Sequence, residues 1–236
     1  MKACVARGLK ADGILSGGLG TRRKAKILYE QYVLNEDEET RENRLVCAYA
    51  FAASEENADG GRVVTAPTCG SCGVLPAVFC YLQQKNDIPD RIIVRALATA
   101  GIIGNIVKSN ASISGAQCGC QAEVGVACAM ASAGIGELKN MNLDQIEYAA
   151  EVAIEHHLGL TCDPICGLVQ IPCIERNAVA ALRALNEVTL ASFLADTRKI
   201  TFDTAVSTMY ETGKDLGRGY RETAAGGLAK IYGKNN

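Results

Sequence analysis

The sequence has almost no charge imbalance. Its 24 Lys and Arg against 26 Asp and Glu leave a formal charge of -2, which gives no electrostatic footprint for a nucleic-acid partner. A long apolar run is missing too. The stretch 96–107 stops at Lys108, too short to span a bilayer, and the start of the chain lacks a signal-peptide layout. No membrane partner and a cytoplasmic location are therefore expected. Histidine is nearly absent: His156 and His157 stand side by side, so no regular zinc finger can be drawn. Alternating, strand-like patterns are scarce, and there is no internal repeat or low-complexity tract.

Cysteine, by contrast, is abundant. The 11 cysteines are odd in number and sit in a chain of 236 residues, which argues against a disulfide framework and for reduced thiols or metal ligands. Apolar residues recur at helical spacing over 41–57, 89–107, 142–157 and 202–212, so the fold class is all-α, a single helical domain. Asn142 suits an N-cap, and Pro89 is placed to begin a helix after a polar turn at 85–90. Residues 35–42 read as an acidic linker.

Between the helices lie three segments that combine small residues with hydroxyls, amides and thiols. They are TAPTCGSCGVLPA (65–77), SNASISGAQCGCQAEVG (109–125) and HHLGLTCDPICGLVQIPCIERNA (156–178). Any single cysteine among them is explained by core packing, since free Cys is among the most buried residue types. All three segments together are not. The pair Cys69 and Cys72 has CxxC spacing but no second pair for zinc, and a helical chain offers no βαβ context for a thioredoxin-like role. Thiolates that converge from distant parts of a chain, as in iron-sulfur proteins, remain open on spacing alone.

The runs GGRVVTAPTCGSCG, NASISGAQCGCQAEVGVAC, GLTCDPICGLVQIPCIERNA, MYETGKD and RETAAGGLA resemble the iron-sulfur-dependent L-serine dehydratases, in order and over nearly the whole chain. The match is to the catalytic alpha part, most closely that of enzymes with fused alpha and beta parts. The resemblance implies glycine-rich loops around a 4Fe-4S cluster held by Cys120, Cys162 and Cys173, with one iron left open as a Lewis acid. Cys69, Cys72, Cys118, Cys128 and Cys166 are then bystanders. The implied reaction is elimination of the β-hydroxyl of L-serine, giving pyruvate and ammonia without pyridoxal phosphate.

The same segments supply candidates for holding the substrate. Thr68, Gly70 and Ser71 can present a hydroxyl and backbone N–H groups to a carboxylate, and Ser16-Gly17-Gly18 is another anion-binding turn. Asn110, Ser112 and Ser114 add donors and acceptors, though capping and turn formation explain such residues equally well. Arg22 and Arg23 read as a solvated face. For the base that removes the α-proton the candidates are His156, Lys108 or a group outside this chain, and a histidine at a helix end also suits the carbonyls there.

The sequence departs from the resembling family in two respects. It ends KIYGKNN, without the cysteine that in the fused enzymes reaches back to the open iron. Residues 1–236 are read as the alpha (catalytic) domain without its N-terminal portion and without the beta domain, so a beta subunit or beta domain is an expected partner, as is a homo-oligomer. Other readings are a cysteine β-elimination or a non-catalytic subunit that binds a cluster. Oxygen sensitivity is expected for an exposed iron.

Overall fold

The structure is a computed structural model that describes residues 1–235. Among the described residues there are eleven α-helices and no strand, only two isolated bridges, Ile14 with Arg22 and Cys162 with Arg221. In chain order the helices are α1 (Lys2–Gly8), α2 (Ala25–Glu30), α3 (Glu38–Ala58), α4 (Val74–Asn86), α5 (Asp90–Asn110) and α6 (Gly115–Cys118). They continue with α7 (Val126–Leu138), α8 (Leu143–His156), α9 (Cys173–Leu194), α10 (Phe202–Asp215) and α11 (Gly227–Asn235). The all-α expectation holds.

The four helices expected from periodicity are α3, α5, α8 and α10. Asn142 caps α8: its side chain accepts from the Gln145 N–H at 2.9 Å while the Gln145 amide accepts from the Asn142 N–H at 3.1 Å. That reciprocal pair satisfies two of the donors that a helix start leaves free. The acidic stretch 35–42 is only half a linker. Asp37 accepts from the Thr40 N–H at 2.8 Å and starts α3, with Glu38 and Glu39 in the first turn, where negative charge suits the helix dipole.

The centre of the bundle is α7, which packs against α4, α5, α8 and α9. Every residue from Val126 to Gly136 is buried. A helix buried on all sides carries no polar face, so periodicity does not reveal it. Small residues let its neighbours come close: a Cβ on Gly134 would stand 2.5 Å from the Phe79 ring and 2.9 Å from the Ala96 carbonyl. The helix α9 packs against α3, α4, α7 and α8, and its first two turns, 173–178, belong to the segment read as a cysteine loop. Both α5 and α9 are long and apolar enough to cross a membrane by length and composition, so stopping the first at Lys108 understated it. Within this fold they pack as bundle helices.

Arg23 is not part of a solvated face. It is 6 % exposed and donates to Glu56 at 3.3 Å and to Asp59 at 2.8 Å, both on α3 or its cap. Next to it, the buried carboxylate of Glu55 accepts from the Lys24 and Ala25 N–H groups and so closes the start of α2.

Candidate metal centre

Ser114 precedes the single turn α6, and Gly119 follows it at φ 74°, where a Cβ would lie 2.7 Å from the Leu160 carbonyl oxygen. Only glycine suits that reversal. The chain then enters a π-helical turn, Gln121–Gly125, with Cys120 at its start and Glu123 inside it. Such turns occur disproportionately at functional sites. Gln121, fully buried, accepts from the Gly159 N–H at 2.9 Å and donates to the Met209 carbonyl at 3.0 Å. It thereby ties α10 and the 156–162 loop to the Cys120 turn.

This tie brings Cys162 to Cys120. The two sulfurs and a Glu123 carboxylate oxygen lie within 4.8 Å of one another. Cys162 is held from the other side by residues 220–222: its N–H donates to the Tyr220 carbonyl at 2.8 Å and its carbonyl accepts from the Glu222 N–H at 2.6 Å. Cys173, the first residue of α9, stands outside that group of three, on a helix whose Arg176 donates to the Thr161 carbonyl beside Cys162. The cysteine-bearing segments 120–123, 160–163 and 173–177 therefore converge. The group of Cys120, Glu123 and Cys162 can hold a metal, and its thiols are donors for soft metal centres.

The electrostatics push the two paired thiols in opposite directions. A hydrogen bond from the Cys162 thiol lowers Cys120, with Arg176 adding positive charge, while the same pairing and burial raise Cys162. Burial pushes Cys173 up to about 12 and raises Glu123 above the ordinary carboxylate range, opposed by its hydrogen bond from Thr68. Arg176 also donates to the Thr161 carbonyl and faces Asp163 at 3.7 Å. Asp163 in turn accepts from the Leu228 N–H at 2.6 Å and from the Thr161 hydroxyl at 2.8 Å, which pins the 218–228 loop on the Cys162 loop.

The other expected site residues divide into two groups. Thr68 donates to Glu123 at 2.7 Å, its hydroxyl lies 3.1 Å from that of Ser71, and a Cβ on Gly70 would meet Glu123 at 3.2 Å. Thr68 and Gly70 line the carboxylate, and Ser71 supports Thr68 from behind. Ser16 and Gly17 touch the loop between Cys162 and Cys173: Gln170 donates to the Ser16 carbonyl at 2.6 Å, and a Cβ on Gly17 would lie 2.8 Å from Leu168. Ser112 donates to Gln117 at 2.5 Å and accepts from the Ser114 N–H at 3.1 Å, so both shape the turn before α6. Asn110 donates to the Ile106 carbonyl at the end of α5, and Lys108 is exposed in the same turn. His156, also exposed, packs edge-on against His157 and lines a cavity with Gly159, Leu160 and Arg176.

Sequence reasoning missed Glu123, Arg176 and Asn177. The signal was present: Glu123 follows Cys120 by three residues, and Arg176 and Asn177 follow Cys173 by three and four, the spacings that share a helix face. Among the remaining cysteines, Cys69 and Cys166 are exposed, and burial raises the Cys118 thiol and pushes Cys72 up to about 12, opposite to a reactive redox pair. All eleven cysteines are free.

The chain is 49% identical over 233 residues to L-serine dehydratase of Haemophilus influenzae, covering 97% of this chain and 51% of that protein. It is 49% identical over 237 residues to L-serine dehydratase of Mycobacterium bovis, covering 97% and 51%. For L-serine dehydratase of Streptomyces coelicolor the identity is 48% over 232 residues, covering 97% and 50%. The chain thus spans about half the length of the curated relatives it matches. Residues 1–229 match the family described as serine dehydratase alpha chain, and with these relatives the match shows that the chain belongs to that family.

Proposed function

We propose that this chain is the alpha (catalytic) unit of an enzyme that converts L-serine to pyruvate and ammonia with a 4Fe-4S cluster bound by Cys120, Cys162 and Cys173. The observation that carries the reading is the convergence of the Cys120 and Cys162 sulfurs, 42 residues apart in sequence, with the Glu123 carboxylate. The fit to a cluster rests on a cradle as well as on donors: Gly115 leaves open a space where a Cβ would stand 3.1 Å from the Cys162 sulfur. When bound, the cluster supplies Lewis acidity toward the hydroxyl that has to leave.

The residues of the chain have separate tasks. The turn 68–71 receives the substrate carboxylate through the Gly70 N–H, with the Thr68 and Ser71 hydroxyls holding the turn to Glu123. Glu123, fixed by Thr68 beside the thiols, takes the α-proton of serine. It stands beside both thiols, whereas Lys108 and His156 are exposed in the last turns of α5 and α8. Loss of the proton and the hydroxyl gives aminoacrylate, which tautomerises and takes up water to release ammonia and leave pyruvate. The partner in this reading is a beta domain or beta subunit, because the relatives are about twice as long. Assembly as a homo-oligomer in the cytoplasm belongs to the same reading, and eleven free thiols suit a reducing compartment.

The test is anaerobic reconstitution of this chain and of Cys162→Ala, with iron, sulfide and the visible spectrum measured. Pyruvate formation from serine, threonine and cysteine is then followed, with and without a beta partner. Four irons in the parent, their loss in the variant and pyruvate from serine are expected. A cluster without serine turnover, beta partner present, would leave only a cluster-binding subunit. Faster sulfide release from cysteine would replace the dehydratase by a desulfidase.

A further inference from the structure

A second set of ligand-type side chains is buried where α7, α8 and α9 meet. Cys128 on α7, His157 at the end of α8 and Glu187 on α9 place one ligand atom each within 4.8 Å of one another. Cys128 is 0 % exposed, Glu187 5 % and His157 9 %. One carboxylate oxygen of Glu187, Oε2, accepts from the Cys128 thiol at 3.2 Å and the Ser132 hydroxyl at 3.0 Å. The other, Oε1, is buried with no partner. An unpaired carboxylate oxygen in a protein core calls for an explanation, because losing water without gaining a donor costs free energy.

His157 supplies an independent sign. Its Nδ1–H donates to the Ala153 carbonyl at 2.7 Å, which leaves the Nε2 lone pair as the free ligand of the ring. A ring oriented by a backbone carbonyl through one nitrogen is the arrangement that metal-bound histidines adopt.

We propose that Cys128, His157 and Glu187 form a zinc site separate from the cysteine cluster. Sulfur, nitrogen and oxygen together match the donors of zinc. The charge balances as well: Zn2+ displaces the thiol proton and meets one thiolate and one carboxylate, the imidazole coordinates neutral, and the filled site carries no net charge. A neutral site avoids the penalty that an isolated ion meets in a core. The Ser132 hydroxyl and the Ala180 carbonyl, 3.2 Å from the Cys128 sulfur, are at hand for the fourth position. A cavity of about 430 Å³ lined by His157, Ala180 and Arg183 gives an approach from the surface.

The site lies on the same continuous helical stretch as Cys120, eight residues further on, or about 12 Å at helical rise. Zinc there fastens α7, α8 and α9 to one another behind the turn that carries Cys120 and Glu123.

The test uses the full chain with Cys120, Cys162 and Cys173 all changed to Ser, so that the cluster position cannot take up the metal. Cobalt(II) is titrated in without oxygen, thiolate-to-cobalt charge-transfer absorption is read, and zinc is then added to displace it. One cobalt per chain, displaced by zinc, and affinity at least about tenfold weaker in Glu187→Gln and Cys128→Ser are expected. No thiolate band in the folded triple variant overturns the site. So does a band unchanged by Cys128→Ser, and if that variant does not fold, unchanged affinity in Glu187→Gln decides alone.

Discussion

Gly115 stands directly against Cys162: a Cβ on Gly115 would lie 3.1 Å from the Cys162 sulfur and 2.6 Å from a carboxylate oxygen of Glu123. The glycine keeps open the space in front of the converging thiols. Gly115→Ala is therefore expected to lose most of its reconstituted iron, while overpacking costs only about 1–3 kcal/mol of stability. Gly101→Ala, in the middle of α5 with nothing within 4 Å, is the control and should keep its iron. Equal iron in both variants would remove Gly115 from the site.

Thr68 fixes the Glu123 carboxylate through a bond of 2.7 Å while touching neither sulfur in the metal group. Thr68→Val removes the donor at similar volume. Pyruvate formation is expected to fall roughly tenfold or more, as for other residues that orient a reacting group, with iron and sulfide unchanged. Thr68→Ser should restore most of the rate. A rate loss that tracks iron loss would make Thr68 a scaffold residue instead.

What could be read beforehand follows from how each feature is encoded. The helices α5, α8 and α10 have one apolar face, and the Asn142 cap is local, so neighbouring residues suffice to find them. The helix α7 has no polar face to mark it, and α9 begins inside a segment whose cysteines drew attention to chemistry instead of helix. The burial of Arg23 depends on Glu56 and Asp59, 33 and 36 residues away, and no local pattern carries that. The grouping of Cys120 with Cys162 is of the same kind. Resemblance pointed to it where spacing alone did not, and Glu123 was overlooked inside the very motif that named Cys120.

Asn177 joins the 65–77 turn to the start of α9 by ordinary hydrogen bonds. Its amide donates to the Gly70 and Cys173 carbonyls, both at 2.8 Å, and accepts from the Gly73 N–H at 2.9 Å, all at 1 % exposure. Asn177→Ala strands two of these backbone groups in the core. A loss of about 2–4 kcal/mol in urea unfolding is expected, since each buried group left unpaired costs about 1–3 kcal/mol. A loss under about 0.5 kcal/mol would mean that water or relaxation replaces the side chain.

Glu151, 1 % exposed on α8, is the place where pH should act on stability away from the metal centre. Burial, assisted by Glu155 and Glu147 and opposed by Arg198, pushes its carboxyl up to about 7, and one of its oxygens has no partner. Folding thus favours the protonated acid. Below the unfolded value of 4.5 both states carry the proton and nothing is lost. As pH rises from there, the unfolded chain ionises first, so stability falls until the folded group titrates near 7 and then levels off. The whole drop is at most about 3.4 kcal/mol, at 1.36 kcal/mol per pH unit. Glu151→Gln removes this slope: the variant should match the parent at about pH 4 and exceed it by about 1–3 kcal/mol at about pH 8. Urea unfolding at the two pH values measures both numbers, and a parent as stable at the higher pH relative to the variant as at the lower would show that Glu151 is ionised in the fold.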